Sequence, residues 1–153
     1  MCQSYDEAVD ALKLIMKEKA FGSAGDRVVI EECLQGKEVS YLVFTDGKTI
    51  IPMVTSKDHK RLLDNDEGPN TGGMGTFSPN PIITPELEYE ILETVIKPTI
   101  KGLKQEGIVY KGILYAGLMI INNKPYVLEF NCRFGDPETQ VILPRLETDI
   151  MDI

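Results

Sequence analysis

The residues Gly112–Ile121 form an almost continuous apolar run, as expected of a strand buried on both faces. Asn122-Asn123 then supplies a two-residue turn, and Tyr126–Asn131 returns as the second arm of a hairpin. Side chains on a strand alternate between faces, so Tyr126, Leu128 and Phe130 are expected on one side and Val127, Glu129 and Asn131 on the other. Towards the amino terminus, Ser4 with Glu7 is a capping-box pattern. It opens a helix whose stripe is Ala8, Ala11, Leu12, Ile15 and Met16, and which Gly22 ends. Gly22–Gly25 reads as a connector. Three strands follow at Arg27–Leu34, Lys37–Thr45 and Lys48–Met53, joined through Gln35-Gly36 and Asp46-Gly47, which predicts an antiparallel meander. The stretch Thr55–Ile83 shows no convincing periodicity. Thr84-Pro85 opens a second helix with a broad apolar face of Leu87, Ile91, Leu92, Val95, Ile96, Ile100 and Leu103; Pro98 should kink it and Gly107 should stop it. Asp136-Pro137 reads as a further helix start, and Leu146–Ile153 is helix-compatible without a visible cap. The pattern predicts an α+β fold, an antiparallel sheet with flanking helices.

Composition narrows the function classes. A length of 153 residues is one domain's worth of chain, and the longest apolar run is far too short to span a bilayer. A net charge of −8 argues against a nucleic-acid partner, which needs a basic face. No basic-then-apolar leader pattern is visible at the start, and Cys2, Cys33 and Cys132 are odd in number and widely spaced. These features favour a reducing cytoplasm, with no membrane partner. Both ends read as cut, so the chain is expected to be an excerpt of a longer protein.

Three stretches carry candidate chemistry. Glu129 and Asn131 place two oxygen donors two residues apart on an apolar strand, a pair suited to a hard cation such as Mg²⁺; a surface-facing pair at a sheet edge accounts for them equally well. Lys57, His59, Lys60 and Arg61 cluster in an otherwise acidic chain and are followed by Gly68-Pro-Asn-Thr-Gly-Gly-Met-Gly75. Glycines let backbone N–H groups approach an anion, so this combination suits a phosphate-bearing ligand. It is not a Walker loop, because Met74-Gly75 stands where Lys-Ser/Thr is required. Arg133 lies close to an apolar strand without a structural reason. The lone His59 suits a positioning role, and no Ser-His-Asp or Cys-His constellation assembles around it. Adjacent Glu31 and Glu32 must face opposite ways, which a strand leaving the core explains.

Taken together, Asp58-His-Lys-Arg61, Gly68–Gly75 and Leu128-Glu-Phe-Asn-Cys-Arg-Phe-Gly-Asp-Pro-Glu138 closely resemble the glycinamide ribonucleotide synthetases (phosphoribosylamine–glycine ligases), purine-biosynthesis enzymes of the ATP-grasp fold. The resemblance runs over essentially the whole chain, read as a partial ATP-grasp domain over residues 1–153. It implies ATP and Mg²⁺ or Mn²⁺ as cofactors, with glycine and phosphoribosylamine as small-molecule substrates. By the same resemblance, Glu31, Glu32, Cys33 and Leu34 form the adenine-binding hinge and Glu38 the ribose partner. Lys60, Arg61, Asn70, Thr71, Gly72, Gly73 and Met74 belong to the nucleotide-binding set, with Arg61 and Asn70 near the phosphates. Glu129 and Asn131 match the metal ligands, and Arg133 and Asp136, with the Asn70–Met74 loop, hold glycine or the amine.

The implied chemistry has two steps, glycyl-phosphate formation and its capture by the amine, and needs positioning and charge neutralisation more than a protein nucleophile. The family's amino-terminal domain, its phosphate-covering flap and its carboxy-terminal domain are expected partners from the same parent chain, and the excerpt is expected to be inactive alone. Two alternatives stand beside this reading: another ATP-grasp carboxylate–amine ligase, and a non-catalytic ATP-binding module.

Overall fold

The computed structural model describes residues 2 and 4–153. The chain divides into two compact units, the first ending at Leu34 and the second comprising Gln35–Ile153.

The first unit is helical. Helix α1 (Tyr5–Leu12) starts where the capping box predicts it: Ser4 accepts the Glu7 N–H at 3.2 Å. One wider π-helical turn, Lys13–Lys17, continues it. Of the expected stripe, Ala8, Ala11, Leu12 and Ile15 are half-buried while Met16 is exposed. The helical run ends before Gly22, and Gly22–Asp26 folds as a tight 3₁₀ turn pressed so closely on the helix that a Cβ at Gly25 would lie 2.2 Å from the Ile15 carbonyl oxygen. The expected strand Arg27–Leu34 does not form. Its apolar residues Val29 and Ile30 are 83% and 79% exposed, and among the described residues no strand pairs with the segment to satisfy its backbone. Glu31, Glu32, Cys33 and Leu34 therefore lie on irregular chain, where the Leu34 N–H bonds the Glu32 carbonyl.

The second unit is organised on strand β1 (Lys37–Thr45), which runs over the residues predicted. It pairs with the short β2 (Ile50–Pro52), closing the hairpin at Asp46-Gly47. Asp46 accepts the Lys48 and Thr49 N–H groups there, and these bonds hold its carboxyl below the usual range. Thr55–Ile83 is not structureless. It holds β3 (Lys57–Asp58), β4 (Arg61–Leu63), β5 (Glu67–Asn70) and β6 (Thr76–Phe77), nested so that β3 pairs with β6 and β4 with β5. Ladders of two to four residues, one containing Gly68-Pro69, leave no alternation to read.

Thr84 caps helix α2 (Pro85–Ile91), accepting the Leu87 N–H. A π-helical turn, Leu92–Ile96, leads into α3 (Lys97–Gln105). Pro98 sits immediately after this turn, where the Lys97 N–H reaches back to Leu92; the widened turn accommodates a ring that would otherwise crowd the preceding carbonyls. Gly107, at φ 79°, ends the run.

Strand β7 (Gly112–Ile121) then inserts beside β1, and β8 (Lys124–Asn131) returns through Asn122 and Asn123, whose positive φ values of 50° and 63° make the tight primed turn. The sheet order is β2-β1-β7-β8, all antiparallel. One face packs on the helices through Val39, Tyr41, Val43, Leu114, Ala116 and Leu118 against Leu87, Ile91, Ile96 and Ile100. The other carries a smaller cluster of Leu42, Met53, Tyr115 and Ile142.

Only the first arm of the β7–β8 hairpin is buried. β8 is the sheet edge, and Tyr126, Val127, Leu128 and Phe130 are 37–43% exposed. A bulge at Leu128 also interrupts its alternation: Gly117 pairs with Glu129 but Leu118 with Val127. Tyr126 thereby shares a face with Glu129 and Asn131, and Val127 shares the opposite face with Phe130. The Asp136-Pro137 start is displaced too: α4 is a four-residue helix, Thr139–Ile142, and Asp136 accepts from the Gln140 side chain instead of capping. The carboxy-terminal segment forms only a 3₁₀ turn, Ile150–Asp152. Among the described residues, no helix is long and apolar enough to cross a membrane.

Leu118, fully buried between β1 and the helices, tests this arrangement. Leu118→Ala should cost about 3 kcal/mol and lower the urea midpoint by roughly 1–3 M, whereas Leu62→Ala, at a half-exposed position, should shift stability by about 0.5 kcal/mol or less.

Candidate functional site

The sheet face opposite the helices carries the polar chemistry. Glu129 and Asn131 stand on one side of β8, and the Asn131 Nδ2 lies 3.3 Å from the Glu129 Oε1. Their partners across the ladder are Gly117 and Tyr115. Gly117 matters here because a Cβ would come within 3.2 Å of the Glu129 Cγ. A glycine opposite the carboxylate leaves its side chain room to lie across the strand.

Tyr115 leads to a second group. Its hydroxyl donates to Glu138 Oε1 at 2.6 Å, and Ser40 Oγ donates to the same oxygen at 2.9 Å. Glu138 is 3% exposed and Ser40 4%. A buried carboxylate is tolerated only when it is bonded, and two hydroxyl donors fulfil that requirement. Burial, followed by the bond to Glu138, pushes the Tyr115 hydroxyl well above its ordinary pKa, so it stays a donor.

The nested hairpin brings Asp58 to the same region. Asp58 is 7% exposed, and its Oδ1 has no hydrogen-bond partner. Burial raises its pKa, the Glu138 charge raises it further, and Lys60 and His59 oppose the shift. Gly73 packs directly on it: a Cβ there would lie 2.7 Å from Pro137 Cδ and 3.0 Å from Asp58 Oδ1, at a φ of 132° that side chains rarely adopt. Thus the glycine-rich segment, the β3 carboxylate and the turn after β8 meet at one point.

The other anticipated residues distribute as follows. Glu38 on β1 faces Lys60 at 3.6 Å, a half-exposed pair. Ser40, Asp58, Tyr115, Gly117 and Leu128 join these two around a cavity of about 10 Å³, room for one water. Arg61 and Asn70 are direct partners across β4 and β5, and Arg61 donates to the Gly68 carbonyl at 2.7 Å. Thr71 donates to the Lys60 carbonyl and accepts the Gly73 N–H, while the Met74 N–H bonds the His59 carbonyl. These bonds pin the glycine-rich loop to the basic strand; Gly72 and Met74 are exposed. Arg133 and Asp136 are exposed on the turn after β8, Arg133 donating to the Phe134 carbonyl. Glu31–Leu34 belong to the first unit.

Sequence reasoning missed Ser40, Tyr115, Asp58 and Glu138 as members of this cluster. The signal was present as hydroxyls at interior positions of two apolar strands.

A two-oxygen cation site fits the donor set. Glu129 supplies a carboxylate, and rotating the Asn131 amide presents its oxygen in place of its nitrogen. Among the described residues no group of three or more His, Cys, Asp or Glu side chains could hold a metal, so water and ligand oxygens would complete the shell.

The family model described as phosphoribosylglycinamide synthetase, ATP-grasp (A) domain, matches residues 1–139. The chain is 56% identical over 153 residues to the human trifunctional purine biosynthetic protein adenosine-3, covering 15% of that protein. It is 54% identical over 154 aligned residues to the phosphoribosylamine–glycine ligase of Vibrio parahaemolyticus, covering 36% of it. The chain thus spans well under half the length of these curated relatives. Among solved structures, the phosphoribosylamine–glycine ligase of Thermotoga maritima matches 74% of this chain and 29% of its own at 41% identity and TM-score 0.67. The D-alanine–D-alanine ligase of Bacillus anthracis matches 93% of this chain at 19% identity and TM-score 0.53, a likeness of fold alone.

The raised Asp58 pKa makes its carboxylate a liability at neutral pH. A carboxyl whose folded pKa lies above its unfolded value stabilises fully below the unfolded pKa, near 4, and that contribution is lost as pH rises through the folded one. Asp58→Asn should therefore raise the Tm near neutral pH by about 2–4 °C and lose this gain below about pH 4, measured by thermal melts across pH.

Proposed function

The chain belongs to the phosphoribosylglycinamide synthetase ATP-grasp domain family, and from that premise we propose that it forms part of an ATP-dependent ligase joining glycine to 5-phosphoribosylamine, a purine-biosynthesis reaction. The observation that carries the reading is the pairing of Glu129 and Asn131 on one face of an exposed edge strand, with a glycine opposite Glu129 that clears space for its side chain. Other family features give the rest of the roles, and they are proposals resting on resemblance.

In this reading the glycine carboxylate attacks the γ-phosphorus of ATP, the bond to ADP breaks, and glycyl phosphate forms. The phosphoribosylamine nitrogen then attacks the acyl carbon, phosphate leaves, and the amine proton passes to solvent or phosphate. Glu129 and Asn131 would hold Mg²⁺ or Mn²⁺, which when bound neutralises phosphate charge. Lys60, Arg61 and Asn70 supply charge and hydrogen bonds to the phosphates, and Glu38 is the acceptor for the ribose hydroxyls. The Thr71–Met74 loop, whose Thr71, Gly73 and Met74 N–H groups bond the Lys60 carbonyl, the Thr71 hydroxyl and the His59 carbonyl, meets the ligand through the exposed Gly72 and Met74, and Arg133 and Asp136 orient the glycine and amine. The adenine-contact role of Glu31, Glu32, Cys33 and Leu34 comes from the resemblance alone. We assign residues 1–153 to a partial ATP-grasp domain whose full activity requires the further length its relatives possess. A cytoplasmic location accords with a soluble biosynthetic role.

Glu129→Gln at native length should reduce Mn²⁺ affinity, read by electron paramagnetic resonance, at least tenfold, and kcat for glycine-dependent ADP formation by roughly 100-fold, the scale of removing one preorganised charge-stabilising group. Mn²⁺ affinity unchanged by the substitution would refute the assignment. ATP bound with no glycine-dependent turnover in the unsubstituted protein would favour a non-catalytic module.

A further inference from the structure

Glu138 is linked to three elements that the site needs in register. Its Oε1 receives the Tyr115 hydroxyl from β7 and the Ser40 hydroxyl from β1, and the two hydroxyls themselves lie 2.9 Å apart. Tyr115 is the ladder partner of Asn131, so this triad is fastened to the strand pair that presents Asn131 and Glu129. On its other side Glu138 closes the turn after β8. Gly135 lies so near that a Cβ there would be 2.1 Å from Glu138 Oε2, and the Thr139 N–H bonds the Gly135 carbonyl. The turn's Pro137 is in turn the surface against which Gly73 of the glycine-rich loop packs, beside Asp58.

Solubility and packing do not require an acid at this place. A buried carboxylate costs more than an apolar side chain of similar volume unless a geometric constraint is obtained in return. Here the constraint has a direction. Two hydroxyls from neighbouring strands converge on one oxygen, which fixes its position, while the other oxygen lies against Gly135; together they constrain the turn carrying Pro137. Hydrogen bonds elsewhere in the glycine-rich segment tie it to its own hairpin, through Lys60, His59 and Thr71. Hence Pro137 and Asp58 supply the atoms nearest to Gly73 and set its position relative to the sheet.

We propose that Glu138, held by Tyr115 and Ser40, is a positioning residue that sets the glycine-rich loop in register with the Glu129/Asn131 strand. It touches no reacting atom. Its effect reaches the loop through Pro137 and reaches the strand through Tyr115. The inference about loop position stands on geometry, and its consequence for turnover rests on the ligase reading above.

Hydrogen exchange on the protein at its native length separates the two. In Glu138→Ala the Gly73 and Met74 amides should exchange at least tenfold faster, while amides of the β1–β7 ladder keep their protection to within about threefold. Glu138→Gln, which retains an acceptor, should return Gly73 and Met74 to within about threefold of the unsubstituted protein, and it serves as the folded comparison if the alanine variant is unstable. Tyr115→Phe, lacking one donor, should fall between them. Glycine-dependent ADP formation should show a tenfold or greater loss of kcat in Glu138→Ala with the KM for ATP moving less than threefold. Unchanged loop exchange, or acceleration of the β1–β7 amides by the same factor as the loop, overturns the proposal. Local loop acceleration in a protein without glycine-dependent turnover upholds the positioning role and rejects the ligase reading.

Discussion

The β1–β7 ladder is the constraint on which the second unit depends. Nine consecutive residue pairs run from Lys37 opposite Ile120 to Thr45 opposite Gly112. Both strands are buried on both faces for most of that length, so a one-residue slip would exchange every inward group on each side. On the helical face a slip of β1 would drive Ser40, or a slip of β7 would drive Tyr115, into the contact with Leu87 and Ile96. On the other it would expel one of the two hydroxyls that satisfy Glu138 and leave that buried acid short of a donor, a loss of about 1–3 kcal/mol. The apolar and polar faces therefore enforce the same register. The chemistry is aligned by the same pairing that makes the core.

From this ladder the polar face is assembled by short steps. Ser40 also bridges to Ser56, which brings the start of the nested hairpin alongside β1. Two residues on, Asp58 reaches the position beside Gly73 and Pro137. Asp58 is the strained member: it is buried, its Oδ1 is unpartnered, and Glu138 repels it. Buried polar groups without partners are uncommon because each forfeits its solvation, and those that persist concentrate where a site needs them. Thr76, the cross-strand partner of Asp58, and Ser56 also have hydroxyl oxygens without partners. Asn80 Nδ2 is unpartnered as well, so among the described residues these groups lie along the two arms of the nested hairpin and its approach, with Asp58 the one beside the glycine-rich loop.

Legibility in the sequence followed the length of the periodic signal. The bounds of β1, the first strand and turn of the β7–β8 hairpin, the Ser4 and Thr84 caps and the apolar face of the second helix were all readable, because each rests on local chemistry or on a long run. Arg27–Leu34 read as a strand because Val28, Val29 and Ile30 favour extended chain, but a strand needs a partner, which composition does not disclose. The four short strands between Lys57 and Phe77 were invisible for the opposite reason. Their ladders are set by long-range register and contain residues that disfavour strands. At the site, Glu129 with Asn131 stood out through simple alternation. Ser40, Tyr115 and Glu138 did not, since their meaning lies in convergence from positions 75 and 98 residues away from Ser40.

The bulge at Leu128 explains how an edge strand can serve both the sheet and a ligand. Straight alternation would place Tyr126 on the helical face and Val127 beside Glu129. The extra residue lets β8 change phase between Val127 and Glu129, so that Val127 and Phe130 are on the helical face while Tyr126, Glu129 and Asn131 share the other. Leu128, released from the ladder, instead lines the small cavity near Glu38 and Asp58. An interior strand could not do this, because both its hydrogen-bonding edges are committed. Being at the edge leaves Glu129 accessible, and facing Gly117 leaves it unobstructed. Exposure on β8 is thus not a defect of core packing. It is the condition under which a carboxylate and an amide can be fixed by a buried neighbour and still be reached from outside.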